Sequence, residues 1–237
     1  MARNQHFHFK QFSVFQENCA MKVSTDACLF GAAVNLDGSQ TILDIGAGTG
    51  LLALMAAQRA DAHIDAVELD PDAAAQAQNN AEQSPWTDRI TVYPQSIQRF
   101  TRENLQKRYD RIICNPPFFT AHTASDCSLR HQARHNDSLS FEELAAGAKA
   151  LLDTDGLFHV LLPTSEQERF MAACREAGLF LSENFSVRPT LRKEVSRQIL
   201  SFGHQEKGIT TREICIHGAG GYTEEFIRLL KPFYLKL

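Results

Sequence analysis

From Gln40 onward the chain alternates short apolar runs with stretches of helical periodicity, the pattern of βαβ units that build a parallel sheet. Thr41 to Ile45 reads as a buried strand, and Leu51 to Arg59 as the helix after a glycine-rich turn. Ile64 to Leu69 predicts a second strand. Asp70-Pro71-Asp72 opens a helix, with Pro71 where its missing N–H costs nothing, and Ala73 to Ala81 continues it. Ile90 to Tyr93 and Arg111 to Cys114 are the next strands, and the second runs straight into Asn115-Pro116-Pro117-Phe118. Phe141 to Leu152 predicts a helix, Gly156 to Leu162 a strand and Gln167 to Ala177 a helix. Phe180 to Val187 and Val195 to Phe202 have no clear helix between them, so an antiparallel hairpin is expected to close the sheet.

The expected fold is α/β and Rossmann-like, with a seven-stranded, mostly parallel sheet over residues 36–237 that ends in this antiparallel hairpin. Residues 1–35 do not fit the repeating unit. Phe7, Phe9, Phe12 and Phe15 suggest a small hairpin or a cover over a pocket, an extension and not a separate domain.

Composition narrows the function classes. The 237 residues can bury roughly 70–75% of their unfolded surface, so no disulfide or metal staple is required. The six cysteines form no CxxC pair and the nine histidines show no HExxH, so no metal site is expected. No apolar run approaches the ~18 residues of a membrane helix, and the amino terminus lacks a signal-peptide core. A reducing cytoplasm is the simplest home for these thiols. With 24 basic against 28 acidic residues the net charge is −4, so a nucleic-acid partner would have to be held by a local basic patch.

The strand–turn–helix context gives weight to Asp44-Ile45-Gly46-Ala47-Gly48-Thr49-Gly50. A dinucleotide fingerprint would want a third glycine where Leu51 stands; the pattern is GxGxG instead, with Asp44 two residues ahead of it. An acid there suits a ligand with an ammonium group and repels a pyrophosphate. S-adenosylmethionine has the ammonium and no phosphate. Glu68, at the end of the next strand, is placed to accept from both ribose hydroxyls. The alternative is a tight turn in some other α/β protein. After the third strand Gln95 and Ser96 are the polar groups available to the cofactor adenine, where an acid would be usual.

Asn115 to Phe118 stand at a strand's carboxyl end, the edge where open α/β sheets bind ligands. A planar amino nitrogen is a poor nucleophile because its lone pair is delocalised. The Asn115 side-chain oxygen and the Pro116 carbonyl can each accept one N–H of such a group, while Pro117 stiffens the loop. Phe118 can stack on the target ring, worth about 1–3 kcal/mol per base. The alternative is a polyproline-like turn with Phe118 in the core.

With these motifs in place the chain resembles the class I S-adenosylmethionine-dependent methyltransferases that carry an Asn-Pro-Pro-aromatic motif. More closely, it resembles the bacterial tRNA1(Val) (adenine-37-N6)-methyltransferase family. The resemblance spans nearly the whole chain. It is carried by Phe9-Lys10-Gln11-Phe12, by Cys19-Ala20-Met21-Lys22-Val23-Ser24-Thr25-Asp26, by the glycine loop, and by Ala66-Val67-Glu68-Leu69. Gln83-Ser84-Pro85-Trp86, Asn115 to Phe118 and Gln132-Ala133-Arg134 complete it. The family usually has tyrosine at the position of Phe118 and an acid at that of Ser96.

The resemblance implies methylation of the adenine beside the anticodon of a valine tRNA, with Asn115, Pro116, Pro117 and Phe118 as the catalytic motif. Asp44, Gly46, Gly48, Gly50, Glu68, Leu69, Thr25 and Ser96 would hold S-adenosylmethionine, under an amino-terminal extension that packs over the cofactor site. For Thr25 a helix N-cap is the alternative. Lys22, Arg130, Arg134, Arg192 and Lys193 are the candidate RNA contacts; for the Arg130–His135 run and the cluster of Arg188, Arg192, Lys193 and Arg197 a solvated face is the alternative. The expected partner is the tRNA anticodon region, with no membrane, no metal and a monomeric state. Related motifs occur in enzymes that methylate a ribosomal RNA guanine or a release-factor glutamine. A non-catalytic adenosylmethionine-binding module is the rival of another class, though it would have no need of Asn115-Pro116-Pro117.

Overall fold

The computed structural model describes residues 5–17, 22–116 and 139–237. The chain opens with a hairpin, β1 (His6–His8) and β2 (Ser13–Phe15), followed by helix α1 (Thr25–Ala33). The repeating unit then begins: β3 (Thr41–Ile45), α2 (Leu51–Arg59), β4 (His63–Glu68), α3 (Pro71–Glu82), β5 (Ile90–Pro94), α4 (Ile97–Glu103) and β6 (Tyr109–Cys114). After it come α5 (Phe141–Leu151), β7 (Leu152–Pro163), α6 (Gln167–Glu176), β8 (Phe180–Thr190) and β9 (Arg197–Gly203). The chain ends with β10 (Thr210–Gly218), β11 (Gly221–Tyr222) and α7 (Glu224–Leu230).

Among the described residues one sheet holds nine strands, in the order β11-β10-β8-β9-β7-β6-β3-β4-β5. Only β9 and β11 run against the rest. The seven strands from β8 to β5 are the mostly parallel sheet expected, with β8 and β9 as its antiparallel hairpin. Two points correct that expectation: the sheet has nine strands and not seven, and the hairpin does not close it. β10 pairs in parallel along the outer side of β8. An eleven-residue strand left at the edge would present a row of unpaired N–H and C=O groups, and β10 takes them up.

Helices cover both faces, which is why the central strands are apolar on both sides. Ile42 joins the core under α1 and α2, while its neighbour Leu43 joins the opposite core with residues of α4, α5 and α6. Phe9, Phe12 and Val14 belong to the first core, so the hairpin shares the main hydrophobic body. The carbonyls left over at the end of α1 are held by arginines from the body: Arg59 donates to Gly31 and Val34 at 2.8 and 2.7 Å, and Arg212 to Ala33 at 3.1 Å.

Candidate functional site

The parallel strands deliver their carboxyl ends to one edge, and that edge assembles most of the candidate residues. Gly46, Gly48 and Gly50 all have positive φ, at 72, 55 and 79°, so the loop after β3 turns in the left-handed region that favours glycine. Among the described residues a Cβ at Gly46 or Gly48 would meet nothing within 4 Å, which leaves space over the loop. The loop's backbone is fixed from the adjacent β4–α3 unit. Gly46 and Ala47 both donate to the Val67 carbonyl, at 2.8 and 3.1 Å.

The two acids lie on either side of this turn. Asp44 is fully buried; its Oδ2 accepts the Ala53 N–H at 3.1 Å, and its Oδ1 has no partner among the described residues. Burial pushes its carboxyl up to about 7, against the Ala53 bond and with a smaller push from Glu68. Glu68 holds one backbone N–H on each oxygen, that of Gly48 on Oε2 and that of Asp70 on Oε1, both at 2.8 Å. The carboxylate is therefore oriented, with lone pairs left for further donors. Leu69, the next residue, exposes 53% of its surface and offers an apolar face beside it.

Register carries the rest of the edge. Glu68 pairs with Pro94, so Gln95 and Ser96 leave β5 beside it. Ser96 serves as the N-cap of α4, accepting the Arg99 N–H at 3.2 Å, so its oxygen is partly committed to the helix. Ile45 pairs with Cys114, so Gly46 and Asn115 leave neighbouring strands at the same level. Asn115 is half-buried and Pro116 buried. The Cys114 thiol is buried and pushed up by burial first, then by Asp44 and Glu68, as expected of a packing residue. Pro117, Phe118, Arg130 and Arg134 lie outside the described residues.

The amino-terminal candidates approach from the side. Ser24 caps α1, accepting the Ala27 N–H at 3.2 Å, so the helix begins at Thr25 and the cap stands one residue earlier than the alternative expected for Thr25. Asp26, next in the helix, pairs with Arg197 at 3.1 Å. Arg197 starts β9 opposite Pro163, the carboxyl end of β7, so this ion pair holds the α1 amino terminus at the same edge. Lys22 is exposed just before it. Arg192 and Lys193 are exposed on the β8–β9 turn, also at the carboxyl edge but displaced across the sheet from Asn115. Arg188 is engaged with Glu213 at 2.7 Å, so Arg192 and Lys193 are the more available charges of that cluster.

Sequence reasoning passed over Asn80. This residue of α3, only 1% exposed, accepts the Phe15 N–H at 2.9 Å and donates to the carbonyls of Phe15 and Thr49, both at 2.8 Å. A polar residue on the inward side of an alanine-rich helix was the available signal. Among the described residues no group of three or more His, Cys, Asp or Glu side chains is placed to hold a metal ion.

Comparison with known proteins gives a consistent picture. Residues 19–172 match the methyltransferase small domain family model. Over 242 aligned residues the chain is 44% identical to the tRNA1(Val) (adenine(37)-N6)-methyltransferase of Dyadobacter fermentans, covering 100% of both chains. Its identity to the protein of the same name from Photorhabdus laumondii is 43%, over 99% of this chain and 97% of that one. Among solved structures, a predicted O-methyltransferase of Agrobacterium tumefaciens superposes with a TM-score of 0.67 at 19% identity, covering 87% of this chain and 96% of that chain. A Pyrococcus furiosus methyltransferase gives 0.55 at 18% identity, covering 77% and 83%. These two are similar in fold alone.

Proposed function

The chain belongs to the tRNA1(Val) (adenine(37)-N6)-methyltransferase family, and from that premise we propose that it methylates N6 of adenine 37 in tRNA1(Val) with S-adenosylmethionine. The observation that carries the reading is the buried Oδ1 of Asp44, which has no partner among the described residues, beside an open glycine loop one strand from Asn115.

The residues fit the cofactor. A buried carboxylate oxygen lacking a donor is suited to an ammonium group. The space over Gly46 and Gly48 is what a closely bound ligand needs. Glu68, already oriented by two backbone N–H groups, is suited to ribose hydroxyls, and Leu69 to an apolar contact with adenine. Gly50 completes the turn, Ser96 and its neighbour Gln95 are the polar groups for the adenine edge, and Thr25 belongs with the methionine end. Residues 1–35 would pack over this site. Bound there, S-adenosylmethionine would supply a methyl group activated on a sulfonium, so the reaction as proposed asks for no metal ion.

Asn115 and the Pro116 carbonyl each accept one N–H of the adenine amino group, which fixes the nitrogen and turns its lone pair towards the methyl. Phe118 stacks on the base and Pro117 stiffens the turn. Most of the gain comes from orientation and proximity, potentially about 7–11 kcal/mol. Extracting a base costs a few kcal/mol and is cheapest in a loop, which suits an anticodon-loop target. Lys22, Arg130, Arg134, Arg192 and Lys193 take up RNA phosphates. No helix among the described residues is long and apolar enough to cross a membrane; the proposed enzyme acts as a monomer in the cytoplasm, with its tRNA.

Incubation with labelled S-adenosylmethionine and unmodified total tRNA, followed by nucleoside mass spectrometry, tests the reading. N6-methyladenosine mapping to position 37 is expected, and Asn115→Ala should keep cofactor binding while losing turnover. Absence of any methylated tRNA nucleoside, with cofactor binding intact, would overturn the tRNA assignment.

A further inference from the structure

Asn80 links two parts of the chain that are distant in sequence. Its carboxamide pairs with both backbone groups of Phe15 as a neighbouring strand would, accepting the N–H at 2.9 Å and donating to the carbonyl at 2.8 Å. Its second N–H reaches the Thr49 carbonyl in the glycine loop, also at 2.8 Å. The side-chain oxygen and both amide hydrogens are thus used, in the one orientation that satisfies all three partners. Asn80 is 1% and Thr49 6% exposed, while Phe15 is half-buried.

The neighbourhood adds to this. A Cβ at Gly50 would stand 3.3 Å from the Ala77 Cβ, so α3 packs directly on the loop one turn before Asn80. Val67 and Glu68 hold the first part of the loop from β4, and Asn80 holds the Thr49 carbonyl. Asn80 also grips the hairpin. The chain continues from Phe15 to Gln16, whose Oε1 accepts the Val23 N–H at 2.8 Å, just ahead of α1.

We infer that Asn80 is a positioning residue that couples the amino-terminal hairpin to the glycine loop, so that cofactor binding and ordering of the hairpin reinforce each other. The inference rests on the cofactor reading given above. Coupling between sites is reciprocal: where closure of the Phe15 pair on Asn80 favours cofactor binding at the loop, cofactor binding favours closure of that pair by the same factor. A purely structural Asn80 would lower stability with and without ligand alike.

Hydrogen exchange of the full-length wild-type protein, with and without saturating S-adenosylmethionine, tests this without a mutation. Exchange over residues 13–16 should slow by roughly tenfold on binding, the scale of one buried hydrogen bond. Asn80→Asp keeps the acceptor for Phe15 but loses both donors. In this variant the protection on binding should vanish and the cofactor Kd rise by roughly tenfold, with KM for tRNA unchanged. Exchange at residues 13–16 that ignores saturating cofactor in the wild type would overturn the coupling, as would a folded Asn80→Asp with wild-type affinity. A wild-type protein that binds no cofactor would instead remove the reading on which the inference stands.

Discussion

Asp44 accepts the backbone N–H of Ala53 through Oδ2 at 3.1 Å while its Oδ1 lies buried without a partner among the described residues. Burial raises the carboxyl to about 7 in the folded protein, against about 3.9 in an unfolded chain. Between those values the native state carries a proton that the unfolded state has lost, so this group's contribution to stability falls as pH rises from about 4 to 7. Asp44→Asn should therefore stabilise the free protein at pH 8, by on the order of 1–4 kcal/mol, and leave it nearly unchanged at pH 4. Cofactor affinity should move oppositely. An ammonium ligand selects the ionised carboxylate, so wild-type affinity rises from pH 5.5 to 7.5, whereas Asp44→Asn binds at least about tenfold more weakly with a flatter profile. Thermal denaturation and calorimetric titration at matched pH values would check both arms.

Glu68 holds Gly48 and Asp70 through separate oxygens, each at 2.8 Å. Glu68→Gln places an amide NH2 against one of two backbone donors, so one bond is lost and the loop loosens. The expected result is a rise of about tenfold or more in KM for S-adenosylmethionine with kcat changed far less, because ground-state and transition-state binding are lost together. Steady-state kinetics with tRNA held saturating would show it; an equal fall in kcat at unchanged KM would count against the assigned role.

His159 titrates in the other direction from Asp44. It is buried in β7, its Nδ1 lies 2.8 Å from the Ser201 hydroxyl, and burial first and then the Arg111 charge hold it down to about 3. Between pH 6.5 and 3 the unfolded histidine takes a proton that the native one refuses, so stability falls as pH drops through that window. His159→Gln should remove this component. The acid limb of a stability–pH curve would then be shallower by up to about 1.4 kcal/mol per pH unit. Urea denaturation midpoints between pH 3.5 and 7 would reveal the difference.

The repeating unit, α4 excepted, was legible because strands buried on both faces and helices with one apolar side leave different periods. Thr41–Ile45 and Leu51–Arg59 fall where the pattern puts them. Helix α1 was not legible, since seven of its nine residues are buried and it lacks a polar face to reveal its period. Strand β10 escaped for the opposite reason: only Ile214 and Cys215-Ile216 interrupt a polar, largely exposed run, and its role is to cover an edge that sequence alone does not display. At the candidate site, glycines and acids carried a readable signal because backbone conformation and charge constrain residue type. Asn80 carried only the weaker signal of a polar residue on an inward helix face, because its partners, in Phe15 and Thr49, are backbone groups that leave no mark on residue type.

Arg192 and Lys193 are exposed on the β8–β9 turn, beside Leu191, which is 69% exposed. Arg188 and Arg197 in the same cluster are committed to Glu213 and Asp26. Within that cluster Arg192 and Lys193 are therefore the pair proposed to engage RNA phosphates. On a protein of net charge −4 a local patch must supply the attraction. The double substitution Arg192→Ala with Lys193→Ala should raise KM for tRNA several-fold and leave cofactor affinity unchanged. It should also reduce the slope of log affinity against log salt by about 1 for each phosphate no longer neutralised. Filter binding of unmodified tRNA across a salt series measures this. An unchanged slope with wild-type tRNA affinity would show that the turn is a solvated face and leave phosphate binding to Lys22, Arg130 and Arg134.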